Sequence, residues 1–290
     1  MHQPKPLFDV RAEHGEGPLW DPVEGNLYWV DLFQGRYFKA NLKEQTVEHH
    51  EVGQALGVMA LRKKWGMVVA VENGFALWNE DARNLQIIKS TPISDEPALR
   101  FNDGAVDPAG RFFAGTMAWD EQSRLGKLYR LDANFVIKEL DNNLYISNGM
   151  GWSMDRKTFY FIDTLQHALF AYDYDLPSGD ISNRRVFIQF PEDEFPDGMT
   201  MDSKDGFWIA LYGGGKIVRF NADGEKSGEI PLPVQYPTSC CFGGRDMKTL
   251  FITTSQKELS EAERRKNPLA GRLFYLETDV RGKPERRFRG

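Results

Sequence analysis

Glu16, Asn102, Asn148 and Asp197 stand at one phase of a repeated sequence unit, and each offers a side-chain oxygen. Each lies five residues before a polar turn residue: Asp21, Asp107, Ser153 and Asp202 in turn. Leu56 and Ser239 hold the corresponding positions of two fainter copies. An Asn or Asp where a strand begins is individually common. Four carboxylate or amide oxygens at one phase mean more, because a symmetric fold carries one phase to one place. Two carboxylates gathered there are costly to bury without a countercharge, and a divalent cation supplies one. Carboxylate and amide oxygens without His or Cys suit a hard or borderline ion such as Ca²⁺, Mg²⁺ or Mn²⁺.

The elements that must position these residues are short strands. Residues 100–117, RFNDGAVDPAGRFFAGTM, read as a hairpin: a strand at Gly104 to Val106, an Asp-Pro-Ala-Gly turn, and a second strand from Arg111 to Ala114. Positions 16, 56, 102, 148, 197 and 239 are separated by 40, 46, 46, 49 and 42 residues. Such a period, built from strands, predicts an all-β fold, a six-bladed β-propeller forming a single domain over residues 1–290. Residues 4–12 precede the first repeat and are expected to complete the last blade, covering its sheet edge. Third strands are expected at Lys127 to Leu131, Leu169 to Tyr172 and Lys216 to Phe220, a fourth at Val186 to Phe190, and helical turns only at Leu259 to Lys266. In a blade, the connection into the inner strand and the loop after the second strand share a face. Glu16, Asn102, Asn148 and Asp197 therefore meet at one mouth of the central channel. Arg100 and the Trp119-Asp120-Glu121 loop share that face.

The remaining sequence excludes other chemistries. A net charge of −6 over 290 residues argues against a nucleic acid partner. Cys240 and Cys241 are adjacent and read as small buried residues rather than a bridge. The start, MHQPKPLF, has no signal-like apolar run and nothing approaches membrane-span length, so a soluble cytoplasmic protein with no membrane partner is expected. GMGWS at 149–153 lacks the central Ser of a nucleophile elbow, and Gly213-Gly214-Gly215 lacks the Lys of a phosphate loop. The five histidines show no ligand spacing beyond the neighbours His49 and His50, which face opposite ways on a strand. Asp31 and Asp163, ending second strands, are expected to tie adjacent loops.

The segments EGPLW, RFNDGAVDPAGRFFAGTM, SNGMGWSMDRKTFYFIDT, PDGMTMDSKDGFWIALYGGG and CFGG…KTLFITT…PLAGRLFYLE occur in this order. Together they resemble the SMP-30/gluconolactonase family, which includes regucalcin, bacterial sugar lactonases and luciferin-regenerating enzymes. The resemblance covers nearly the whole chain and implies a six-bladed propeller with one divalent metal at the channel mouth. It implies metal ligands at Glu16 of E-G-P, Asn148 of S-N-G and Asp197 of P-D-G, with the ion open among Ca²⁺, Mn²⁺, Zn²⁺ and Fe²⁺. It places Arg100 and Asn102 of R-F-N-D-G against the substrate. Regucalcin-like members carry a sugar-contacting Glu in the loop after G-T-M, where this chain has Trp119-Asp120-Glu121, so Asp120 or Glu121 takes that role.

The activity expected from this resemblance is metal-dependent hydrolysis of a sugar lactone to its aldonic acid. The metal acts as Lewis acid and Asp197 also accepts a proton from the attacking water. Two other readings stay open: hydrolysis of another ester such as an organophosphate, and a calcium-binding regulatory protein. The partner expected is a small sugar lactone; the sequence leaves the oligomeric state open.

Overall fold

The computed structural model describes residues 3–88 and 93–290. Among them are six antiparallel four-stranded sheets. Their inner strands are Gly15–Asp21, Leu56–Leu61, Leu99–Val106, Ser147–Trp152, Phe195–Met201 and Pro237–Gly243. We number the blades one to six in that order. Each inner strand packs beside the next, and the sixth packs beside the first, so the sheets close into the expected six-bladed propeller.

The ring closes through its first strand. Lys5–Pro6 pairs antiparallel with Phe274–Glu277, the outer strand of blade six. Only these two of residues 4–12 join the ladder, and the following segment docks by single bonds. Leu7 N–H donates to Leu273 O at 2.9 Å and Ala12 N–H to Gly271 O at 2.8 Å, while the Arg272 guanidinium holds Phe8 O. The expected third strands appear as Gly126–Leu131, Ala168–Tyr174 and Lys216–Phe220, and the fourth strand of blade four runs longer than expected, Ile181–Gln189. The one described α-helix is Glu261–Lys266, opened by a capping box between Ser260 and Glu263.

Apolar packing between adjacent sheets fixes the ring. The second strands are almost wholly buried runs such as Met67–Val71 and Phe207–Tyr212, as strands covered on both faces require. Fourth strands such as Thr46–Glu51 face solvent. Aromatic pairs weld the seams. Phe75 of blade two meets Phe101 of blade three at 4.7 Å, and Phe113 of blade three meets Trp152 of blade four at 5.1 Å. Turn residues at the repeat phase close the hairpins at the far end of the channel. Asp107 Oδ1 accepts from Ala109 and Arg111 N–H, and Asp202 Oδ1 from Lys204 and Gly206 N–H, at 2.8–2.9 Å.

The far end is also crossed by residues 281–290. Gly282 N–H reaches Met247 O of blade six at 2.8 Å, and Ser203 N–H of blade five reaches Arg281 O at 2.8 Å. Phe288 N–H reaches Leu61 O of blade two at 2.9 Å, Arg289 N–H reaches Gly110 O of blade three at 2.9 Å, and Arg287 Nη2 reaches Asp21 of blade one at 2.6 Å. Phe288 is fully buried between blades two and three. Above this strap the channel holds a cavity of about 810 Å³, lined by Leu19, Met59, Asp103, Met150, Met199 and Glu285 among others.

Candidate metal and substrate site

Every inner strand carries a register shift at the same height. The shifts fall between Glu16 and Leu19, Leu56 and Val58, Phe101 and Gly104, Ser147 and Met150, Pro196 and Met199, and Pro237 and Ser239. A β-bulge re-aims the side chains beside it, and here Glu16, Asn102, Asn148 and Asp197 all fall in or at the edge of one. Glycines let the bulged strands approach. A Cβ on Gly149 would stand 2.6 Å from Met199 Cγ and 2.9 Å from Asp197 O, and one on Gly198 would stand 2.1 Å from Ser239 Oγ. The 810 Å³ cavity lies below this level and is lined by the bulge residues Gly17 and Asp103 rather than by the four oxygen donors.

Glu16, Asn102, Asn148 and Asp197 are each at most 8% exposed. A hydrogen-bond chain sets the Asn148 amide. Thr164 Oγ1 donates to Pro196 O at 2.7 Å, since a carbonyl can only accept; its own oxygen therefore accepts from Asn148 Nδ2 at 2.7 Å. That leaves Asn148 Oδ1 turned the other way, where Asn102 Nδ2 approaches at 3.1 Å. Asn102 Nδ2 also donates to Ser147 O at 2.9 Å, and its Oδ1 accepts from Arg100 Nη1 at 2.6 Å.

The charges in this pocket do not balance. Burial first, then Asp197 and Asp103, push the Glu16 carboxyl well above the usual range, against Gly17 N–H and Arg100. Burial and then Asp103 do the same to Asp197, against Gly198 N–H, Arg100 and Asn148. Burial raises Asp103 to about 6. Arg100, itself pulled down to about 10 by burial, stays cationic but is a single charge facing three carboxyls. An oxygen-only donor set of two buried carboxylates and an oriented amide fits a hard divalent cation.

Around this pocket stand the substrate-side candidates. Arg100 is 3% exposed, its Nε is buried without a partner, and its guanidinium lies 5.3 Å from the Phe33 ring and 5.5 Å from the Trp119 ring. Glu121 Oε1 lies 3.9 Å from Arg100 Nη2. Asp120 is exposed and turned into its own loop, accepting from Gln122 N–H at 2.9 Å and Ser123 N–H at 2.8 Å. The structure thus brings Arg100, Asn102 and Glu121 together with Glu16, Asn148 and Asp197, and leaves Asp120 at the rim as a turn former.

Residues 14–256 match the family described as SMP-30/Gluconolactonase/LRE-like region. The chain belongs to this family. It is 36% identical over 276 residues to the Bacillus subtilis (strain 168) protein named "Putative sugar lactone lactonase YvrE", covering 94% of each chain. It is 36% identical over 269 residues to regucalcin of Oryctolagus cuniculus, covering 90% of each. The structure of the calcium-binding protein regucalcin from Agrobacterium tumefaciens superposes with a TM-score of 0.94 at 25% identity, covering 98% of this chain and 97% of that one.

Within this SMP-30/gluconolactonase-like frame, several residues escaped the sequence reading. His14 lies at the mouth, hydrogen-bonded through Nδ1 to Ser255 Oγ at 3.0 Å and flanked by Phe33 and Tyr212. Burial, then Arg100 and Lys257, lower it to about 3, so it is neutral. Its place two residues before Glu16 was the available signal. Thr164 and Asp103 each follow a singled-out residue directly, but nothing in their types announced a role. Asp31 and Asp163 act as expected of loop ties. Asp31 Oδ1 accepts from Glu13 and His14 N–H, and Asp163 from Tyr145 and Ile146 N–H, at 3.0–3.2 Å, so each fixes the segment leading to Glu16 or to Asn148. A separate carboxylate–imidazole group, Glu48, His50 and Glu80, lies toward the rim. Lys39 Nζ donates to Glu80 Oε1 at 2.5 Å and lies 3.9 Å from Glu48, so a cation already fills it.

Proposed function

We propose that this chain is a lactonase that hydrolyses a sugar lactone, an aldono-1,4- or 1,5-lactone, to the aldonic acid. The observation that carries this reading is the meeting of Glu16, Asn148 and Asp197 in three bulges beside the buried Arg100–Asn102 pair. Family membership and the named function of the Bacillus relative support it. Glu16, Asn148 and Asp197 would hold a divalent ion, with Ca²⁺, Mn²⁺, Zn²⁺ and Fe²⁺ all compatible with the donors. Bound there, such an ion supplies a Lewis acid for the lactone carbonyl and for the charge that develops on its oxygen.

The chain's own groups supply the rest. The Asp197 carboxylate takes the proton of the attacking water. Arg100 offers its unpartnered Nε–H to a substrate oxygen. Asn102 and Glu121 present further polar groups to the ring hydroxyls, and aromatic Phe33 and Trp119 give the mouth apolar walls. No covalent nucleophile is needed.

The test is steady-state hydrolysis of a panel of aldonolactones and non-sugar esters, with and without chelator. Chelator-sensitive turnover on pentono- or hexonolactones is expected. Turnover confined to organophosphates, or tight Ca²⁺ binding without any turnover, would move the assignment to an esterase or to a calcium-binding regulator. Asp197→Ala should lose both calorimetric metal binding and hydrolysis, and full activity in that variant would remove the mechanism.

A further inference from the structure

Lys257 follows the second strand of blade six, Thr249–Thr254, while Glu121 follows the second strand of blade three, Phe112–Ala118. In a ring of six these blades stand opposite each other. Yet Lys257 Nζ donates to Glu121 Oε1, the same oxygen that lies 3.9 Å from Arg100 Nη2. Lys257 has a nearer carboxylate in sequence, Glu258, at 3.5 Å, and still reaches across the mouth. Its ammonium lies 5.0 Å from the Phe33 ring, whose centroid is also 5.3 Å from the Arg100 guanidinium. Blades one, three and six therefore meet above the pocket.

The loop beneath this bridge is set for it. Glu121 has φ 58°, the left-handed backbone with which it closes a tight turn, its N–H donating to Ala118 O at 3.1 Å. Asp120 stabilises that turn through the next two N–H groups. A half-exposed ion pair between two long side chains adds little to folding stability, so stability does not account for a contact spanning the ring.

We propose that Lys257 is a positioning residue for substrate recognition: by pairing across the mouth it holds the Glu121 carboxylate over the site, where its free lone pairs accept hydrogen bonds from ring hydroxyls. The substrate class rests on the lactonase reading above. The pairing itself does not.

The experiment compares wild type, K257M, K257R, E121Q and the K257M/E121Q double variant, all metal-loaded, on glucono-1,5-lactone and on γ-butyrolactone, which has no hydroxyls to read. K257M should raise KM for the sugar lactone roughly tenfold while kcat changes less than about threefold, and K257R should recover most of the loss. On γ-butyrolactone both constants should move less than about threefold. E121Q should reproduce the KM effect, and the double variant should be no worse than either single one, as expected of two residues acting as a unit. Equal losses on both lactones, or additive losses in the double variant, would overturn the proposal. If wild type hydrolyses neither lactone, the lactonase reading fails on its own account. The bridge is then judged by reductive methylation followed by peptide mass spectrometry. Lys257 should react several-fold faster in E121Q than in wild type, and an unchanged rate would overturn the pairing.

Discussion

Thr164 shows how much of the site's chemistry depends on residues that touch no substrate. It spends its proton on Pro196 O, which obliges it to accept from Asn148 and so points Asn148 Oδ1 away from it. Thr164→Val keeps the shape and removes the acceptor. Calorimetry should find divalent-cation affinity lowered by about 10- to 100-fold, with a stability loss of about 1–3 kcal/mol from the orphaned buried N–H. The same reasoning separates two neighbouring carboxylates. Asp120 secures the loop and Glu121 faces Arg100, so Asp120→Ala should act only through Glu121, with a smaller sugar-selective loss than Glu121→Gln and no further loss when the two are combined. An added sugar-selective loss in the double variant would instead make Asp120 a reader of hydroxyls in its own right.

The inner strand with its bulge is the element that converts a sequence repeat into a site. Six shifts at one height aim six positions at the axis, and the glycines beside them let adjacent strands close in. Gly198→Ala drives a methyl group into Ser239, 2.1 Å from its Oγ and 2.4 Å from its Cβ. Overpacking of that kind costs about 1–3 kcal/mol, and it displaces the residue next to Asp197. Chemical denaturation should show the loss, and adding Ser239→Gly should recover part of it, because the Ser239 Cα still lies 2.8 Å from the new methyl; no recovery would mean the strain lies elsewhere. This level was legible in the sequence for physical reasons. Turn chemistry at Asp21, Asp107 and Asp202 and a fixed distance back to the site residues are local features, and local features survive in a single sequence. The first strand was legible as a closing strand, but its length was not, because which N–H groups dock on Phe274–Glu277 depends on a partner far along the chain. The same limit hid Lys257 and Thr164. Each matters through a contact made across blades, Lys257 with Glu121 and Thr164 with Pro196.

At the scale of the whole molecule, the propeller has one open mouth and one strapped end, and Glu285 hangs from the strap into the channel. Burial first, with Asp103 adding and Arg286 opposing, raises its carboxyl from 4.5 to about 7. Between those values the folded protein keeps a proton that the unfolded chain has released, so folding stability falls as pH rises through the window and is level above it. Glu285→Gln cannot ionise. It should match wild type near pH 4 and exceed it at pH 8, by at most about 3 kcal/mol and by less where solvent screens the group. Urea titrations at the two pH values decide, and a gain at pH 4 equal to that at pH 8 would remove ionisation as the cause. The closure of blade six has a consequence of another kind. Lys5–Pro6 cannot pair until Phe274–Glu277 exists, so during translation the first strand waits while every other blade is made. At about 5–20 residues per second that wait is on the order of half a minute. Throughout it blade six is missing and the face of blade one that packs against it stays uncovered, the kind of apolar surface through which chains aggregate. The speed of the ribosome, of which the finished ring keeps no trace, sets how long that face is bare.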